Sequence, residues 1–338
     1  MFRHIRRKMN MKALLSAIIV ACFCFMELGS ASQDAVSFRA ENFIGYKTSY
    51  PSTAFAMTKE YTLLAEEREM PYPTWMPESH NIFLCSNDEN TKELIATIDE
   101  PWVFVLTDGS VFYVLSAGYF AFTEVEHSIF TIQCYDPVTM GYLWEHRQEI
   151  EDENGYVRVK DAVVLDGCLY LITDDKILSF DPDQLTLCEV FNSPHELTNK
   201  IYSRHACIYG DELILTNNSG EIIAFDTKTH QTRKLSTTIS NRNAGTSECI
   251  FSYYVYKDKL IYNLASTESM YSYDMQTEDV EFFVSGRCGI ACETPNGLYL
   301  EYTDGGYTKY FLEISTMEET RIRDYEIDVI GVWKEMLK

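Results

Sequence analysis

A chain of 338 residues that is 46% hydrophobic and 14% aromatic buries a large core, which excludes intrinsic disorder. Its formal charge of −23 repels phosphate backbones and anionic lipid and argues against nucleic-acid binding. Tyr (23) and Phe (19) supply the aromatic excess, which suits half-buried strands, and no long amphipathic helical pattern is present.

Residues 1–31 read as an export signal. Arg3, Arg6, Arg7, Lys8 and Lys12 form a basic start, Ala13–Met26 is an apolar run too short for a membrane span, and Gly29-Ser30-Ala31 suits cleavage after Ala31. A second reading is a lipobox, Ile19-Val20-Ala21-Cys22, ending in a lipidated cysteine; the apolar Phe23–Met26 after it is unlike a polar tether. Cleavage after Ala31 leaves 23 basic and 50 acidic residues, a net charge of −27. The protein is therefore expected to be exported, as a secreted, periplasmic or cell-surface protein without a membrane span, or lipid-anchored through Cys22. Residues 32–58 are expected to be an N-terminal extension, 59–333 a single domain and 334–338 a tail. Eight cysteines follow the signal; the even number permits disulfides, and no spacing is of the zinc or CxxC type. Cys288 and Cys292, if extended, lie about 13 Å apart and do not pair with each other.

Taken in order, the first strands expected are Tyr61–Ala65, Ile82–Cys85 and Leu94–Ile98, with no convincing strand ahead of them. Asp108-Gly109 to Leu115 and Ile129–Asp136 follow, with an enlarged loop between them. Residues 162–191 then hold a complete four-strand unit: Val163–Leu165, turn Asp166-Gly167, Leu169–Ile172, turn Asp174-Asp175, Ile177–Phe180, then Asp181-Pro182-Asp183 opening a last strand at Leu185. Tyr209–Leu215 with Ile222–Asp226, Tyr256–Tyr262 with Tyr273-Asp274, and Pro295–Leu300 with Tyr310–Ile314 repeat it. These units, at about 50 residues each, predict an all-β fold, a β-propeller of four-stranded blades. Six blades are expected if Ile327–Trp333 returns to complete the first blade and close the ring; seven follow if residues 38–60 contribute strands.

The segment Tyr135-Asp136-Pro137-Val138-Thr139-Met140-Gly141-Tyr142-Leu143-Trp144 resembles the repeat of the pyrroloquinoline-quinone-like propellers, with its aromatic-Asp pair, Thr-Gly turn and Trp on the fourth strand. Phe180-Asp181 and Phe225-Asp226-Thr227-Lys228-Thr229 carry partial matches. That family holds quinone-dependent dehydrogenases and cofactor-free scaffolds. The dehydrogenases carry a vicinal cysteine pair and larger rings, whereas no two cysteines are adjacent here, so the resemblance implies the cofactor-free branch and no quinone.

Loop length locates the expected functional face. Every turn from third to fourth strand is short, whereas Glu149–Lys160, Asn192–His205, Ser236–Cys249, Glu66–His80 and Ser116–Ser128 are long, and all belong to one face of a propeller. Aligning the repeats puts Trp102, Lys160, Arg204 and Phe251 at equivalent positions just before the first strand of successive blades, with His205 and Arg287 close by. Such a basic, aromatic channel mouth suits an anionic, planar or glycan ligand; the alternative is that Lys160 and Arg204 pair with local acids such as Asp161 while Trp102 and Phe251 fill core. Tyr72 and Trp75, in a proline-rich stretch, either contact a protein partner or pack on their own blade. Catalytic signatures are missing: there is no GxSxG, no phosphate-binding glycine loop, and His195-Glu196 continues as Leu197-Thr198-Asn199 rather than HExxH. No metal site, cofactor or catalytic residue is expected. The reading is a non-catalytic propeller that binds a protein or small ligand on its loop-rich face; the alternative is a hydrolase or lyase acting on an extracellular saccharide or peptide in the channel.

Overall fold

The structure is a computed structural model that describes residues 35–39, 53–58, 60–68, 79–89, 91–100, 102–118, 128–139, 141–150, 159, 161–173, 176–192, 206–216, 222–235, 250–256, 258–264, 269–285, 288–294, 297–303, 307–313 and 318–322. They form antiparallel sheets whose strands pair in chain order. The first sheet has five strands, β1 (Ala35–Arg39), β2 (Thr53–Thr58), β3 (Tyr61–Glu67), β4 (His80–Ser86) and β5 (Thr91–Ile98). Four strands each make the second, β6 (Trp102–Thr107), β7 (Phe112–Gly118), β8 (Ser128–Asp136) and β9 (Gly141–Ile150), and the third, β10 (Asp161–Leu165), β11 (Cys168–Ile172), β12 (Lys176–Asp181) and β13 (Thr186–Asn192). The fourth is β14 (Cys207–Tyr209), β15 (Glu212–Thr216), β16 (Ile222–Asp226) and β17 (Thr232–Lys234). The fifth is β18 (Ile250–Tyr256), β19 (Lys259–Leu264), β20 (Ser269–Asp274) and β21 (Val280–Ser285), and the sixth is β22 (Cys288–Thr294), β23 (Gly297–Thr303), β24 (Tyr307–Glu313) and β25 (Glu318–Ile322).

Apolar residues on both faces of the buried strands dictate how the first five sheets meet. In β6, Val103 and Val105 join Leu63, Ile82 and Leu84 of the first sheet, while Phe104 and Leu106 join Leu169, Leu171 and Phe180 of the third. In the third sheet Leu169 and Leu171 face the second, and Tyr170 and Ile172 pack with Leu213, Leu215 and Phe225 of the fourth. Ile214, Ile222 and Ala224 then meet Tyr253, Leu260, Tyr262 and Tyr273 of the fifth. Period-two alternation therefore sorts side chains between two neighbouring sheets rather than between core and water. The inner strands converge, β6 on β2 and β10, β18 on β14 and β22. Outer strands such as β13 are mostly exposed.

The first sheet differs from expectation. The strand beside β3 is β2, drawn from the supposed N-terminal extension, with β1 a further strand inside it. The place reserved for Ile327–Trp333 is thus already filled; that C-terminal segment lies outside the described residues. The β2 sequence Thr-Ala-Phe-Ala-Met alternates small and large residues, a weak strand pattern, yet Phe55, Ala56 and Met57 are buried.

The aspartate that recurs at the end of the third strand is a turn-former. Asp226 Oδ1 accepts the backbone N–H groups of Lys228 and Thr229 at 2.8 Å each, and Asp274 Oδ1 accepts those of Gln276 and Thr277 at 2.9 Å each. The chain then passes through the left-handed region four residues after the aspartate, at Leu185 (φ 51°), His230 (φ 58°) and Glu278 (φ 63°). Leu185 therefore ends the turn rather than opening β13, which starts at Thr186. In the second sheet Thr139 Oγ1 donates to Asp136 Oδ2 at 2.8 Å, and a Cβ at Gly141 would stand 2.7 Å from that hydroxyl, which accounts for the glycine. Hydrogen bonding to the ionised form holds the Asp226 and Asp274 carboxyls below their usual range. Trp144 of the same motif lies between Tyr113 and Phe180, with ring centroids 6.2 and 5.9 Å away, and joins the second sheet to the third.

Cys85, Cys134 and Cys207 are buried thiols, and these three, Cys168 and Cys188 form no disulfide. Burial first, then Asp108 and Asp136, push the Cys134 thiol up to about 12, which keeps it unreactive.

Two predictions follow from the turns and the tyrosine-lined interface. Leu185→Gly relieves a left-handed backbone at an exposed site, and chemical denaturation should show a gain of about 0.5–1 kcal/mol. The hydroxyls of Tyr262 and Tyr273 are buried without a partner, whereas Tyr253 Oη donates to the Ile214 carbonyl at 3.3 Å. Tyr262→Phe should therefore leave the melting temperature unchanged or higher, while Tyr253→Phe costs about 1 kcal/mol.

Candidate functional site

Strand direction separates two ends of the sheets. At one end the connections leaving the second and fourth strands of the first sheet, and the first and third strands of each other sheet, span two to five residues. At the other, β9 ends at Ile150 and β10 starts at Asp161, β13 ends at Asn192 and β14 starts at Cys207, and β17 ends at Lys234 and β18 starts at Ile250. Of the residues expected to form the channel mouth, Trp102 and Phe251 are described, and both lie inside a strand rather than just before it. Trp102 opens β6 and Phe251 is the second residue of β18, so their backbones hold equivalent places at the heads of two inner strands. Lys160, Arg204, His205 and Arg287 lie outside the described residues, as do Tyr72 and Trp75.

The main organising group at this end is Asp161. It is 7% exposed, and its carboxylate accepts the N–H of Ala162 at 2.8 Å and that of Ala206 at 2.6 Å. A buried carboxylate taking backbone donors makes strong charge-assisted bonds. Here they tie the head of the third sheet's inner strand to the residue that follows His205. Sequence reading named Asp161 only as an acid near Lys160; the signal was a charged residue heading the apolar run Ala162–Leu165, and the Ala206 contact spans 45 residues.

A second polar group lies between the first two sheets. His80, at the head of β4 and buried, directs Nδ1 at the Glu100 carbonyl oxygen, 3.2 Å away. One Glu100 carboxyl oxygen, Oε2, is buried without a hydrogen-bond partner. Burial raises the Glu100 carboxyl above the usual range, Arg147 on β9 pulls it back, and Asp99 raises it further. The N–H of Arg68 donates to the Ser79 carbonyl at 2.7 Å, which pins together the two ends of the connection that contains Tyr72 and Trp75. None of Ser79, His80, Glu100 or Arg147 was singled out from sequence, because each stands alone in its strand or loop with no motif spacing. The His80 contact with Glu100 goes to the main-chain carbonyl and anchors a loop end. Among the described residues no three His, Cys, Asp or Glu side chains gather as a metal ion requires, and no helix is long and apolar enough to cross a membrane.

No family model matches the chain, and no curated protein sequence matches it. Solved structures do. The β-propeller domain of the trilobed protease from Pyrococcus furiosus, described as having an open velcro topology, superposes with a TM-score of 0.54 at 9% identity over 82% of this chain and 88% of that one. The fold is a β-propeller. Pyrococcus horikoshii acylaminoacyl peptidase superposes with the same TM-score and identity over 89% of this chain and 52% of that one. At such identity the likeness concerns fold alone. In this propeller, then, Asp161, the His80–Glu100 contact and the long connections share the end at which inner strands begin.

Two substitutions probe this end. Asp161→Ala leaves a buried and a half-buried N–H group without their acceptor and should cost about 1–3 kcal/mol in equilibrium unfolding, whereas Asp183→Ala, on an exposed turn, stays within about 0.5 kcal/mol. The raised Glu100 carboxyl favours the protonated folded state, so the stability it contributes is present below its unfolded value and is lost as pH rises through the folded one. Glu100→Gln should match wild type in melting temperature near about pH 4 and exceed it near about pH 7.

Proposed function

We propose that this protein is an exported, non-catalytic six-bladed propeller, related in repeat to the cofactor-free pyrroloquinoline-quinone-like scaffolds, that binds a protein or small anionic ligand at the end where its inner strands begin. The observation that carries this reading is the asymmetry of the connections: two to five residues throughout one end, up to fifteen at the other. Long connections cost little in closure entropy and are retained where they make contacts. The charge pattern of the sequence supports the ligand class. Lys160, Arg204 and Arg287 are placed by the repeat at the heads of inner strands in a chain whose acids outnumber its bases 51 to 28. Arg forks suit carboxylate, sulfate and phosphate groups, and Trp102 and Phe251 offer faces for a planar or sugar ring. Export rests on the N-terminal signal pattern of residues 1–31.

The test is a binding screen of residues 32–338 against acidic glycans and acidic peptides, followed by paired variants. Lys160→Ala combined with Arg204→Ala should weaken the best ligand at least tenfold, because each lost charge-assisted contact contributes about 1.5–3 kcal/mol. Lys228→Ala at the opposite end, where Lys228 pairs with Asp211 at 2.6 Å, should leave affinity unchanged. Equal loss in both variants would sink the assignment of the end. Turnover of a glycan or peptide that disappears in His205→Ala would instead establish the hydrolase or lyase reading.

A further inference from the structure

A bulge or a short outer strand interrupts the outer edge of every described sheet but one. In β5 an extra residue, Ile95, divides the pairing with β4, in β13 Val190 divides the pairing with β12, and in β21 Phe283 divides the pairing with β20. β17 has three residues and β25 has five. Such devices keep an outer edge from taking up a further strand. β9 lacks them over most of its length. Its extra residue, Leu143, stands near its start, and the seven residues Trp144–Ile150 then pair with β8 without a shift, from Cys134 to Ser128. Neither proline nor lysine stands among the seven. β9 is the last strand of its sheet, so among the described residues no strand pairs with its outer edge.

The side chains along β9 fall on two faces. Trp144 and His146 lie against Phe180 of the third sheet, with ring centroids 5.9 and 4.9 Å away. Glu145, Arg147 and Glu149 are exposed, as are Tyr142 and Leu143 at the start of the strand. Alternating charge on a straight edge selects what can pair with it. Two copies of one edge meet antiparallel about a two-fold axis normal to the sheet, and that axis keeps each face on its own side. Residues equally far before and after the axial residue therefore face each other. With the axis at Glu145 or Arg147, a charge faces its own copy. With the axis at Gln148, Arg147 faces Glu149 but only residues 146–150 of β9 overlap. With the axis at His146, Glu145 faces Arg147 twice and residues 142–150 overlap, which takes in Tyr142 and Leu143. Opposite charges directly across an antiparallel pair stabilise it, and like charges oppose it. The formal charge of −23 opposes the approach of two copies, but at about 0.15 M salt charges more than about 8 Å apart are largely screened, so those along the edge decide.

We propose that the outer edge of β9 is a self-association site, at which a second copy of this chain pairs antiparallel about His146 and joins two four-stranded second sheets into one. The inference is independent of the ligand proposed above, since it concerns an outer strand rather than the long connections.

Sedimentation equilibrium of residues 32–338 at about 0.15 M salt tests it. A reversible equilibrium of monomer and dimer is expected, and a chain that stays monomeric up to its solubility limit overturns the proposal. Glu145→Arg and Arg147→Glu should each weaken dimerisation about tenfold or more, because each turns two attractive pairs into repulsive ones, and the two exchanges combined should restore it. A dimer indifferent to the single exchanges overturns the proposal, as does a combined variant that melts like wild type yet stays monomeric. Because Arg147 also acts on the Glu100 carboxyl, the unmodified chain supplies a second reading. Amide hydrogen exchange of residues 144–148 should slow as protein concentration rises, and protection independent of concentration overturns the proposal.

Discussion

The constraint on which this structure depends is that the buried strands of its first five sheets carry apolar residues on both faces. β6 shows it in four residues: Val103 and Val105 belong to the interface with the first sheet, Phe104 and Leu106 to that with the third. A sheet apolar on both sides cannot stand against water, so each needs a neighbour on either side, and each neighbour has the same need. Radial repetition answers that need, and the inner strands converge as it requires. Water meets the fold mainly at the outer strands and at the two ends.

The two ends are built by different means. At the turn end the solution is local and repeated: an aspartate closes the turn on the next backbone N–H groups, and a residue in the left-handed region brings the chain into the outer strand. The same end locks its two turns together, as when the N–H of Thr227 donates to the Asp211 carbonyl at 3.0 Å and that of Met275 to the Asp258 carbonyl at 2.8 Å. At the other end the contacts are singular and distant in sequence, Asp161 with Ala206 and His80 with Glu100. Local chemistry that repeats leaves little room for recognition, whereas unique long-range contacts can hold connections of unequal length.

The interfaces differ in chemistry although the geometry recurs. Hydrocarbon and Trp144 fill the one between the second and third sheets, whereas the one between the fourth and fifth is rich in tyrosine. There Tyr262 and Tyr271 stack with centroids 5.9 Å apart, and two phenol hydroxyls lack partners. Buried hydroxyls without partners destabilise, and burial raises both phenols above their usual range.

Sequence alone determined the class of fold, the strands of the third sheet to within two residues, and the inequality of the two ends. Those features are encoded within 30 residues by alternation, Asp-Gly turns and aspartate-capped corners, forces that act between near neighbours in the chain. It misplaced the head of the first sheet: β2 carries a weak strand pattern, and Ile327–Trp333 a stronger one, yet pairing with β3 depends on which segment the fold delivers to that edge. Asp161 was visible as an acid but not as a clamp, because its partner N–H lies 45 residues away. Tertiary structure decided these points. Propensity is a property of a segment, whereas an edge, a clamp or an extra strand is a property of two segments and the distance between them.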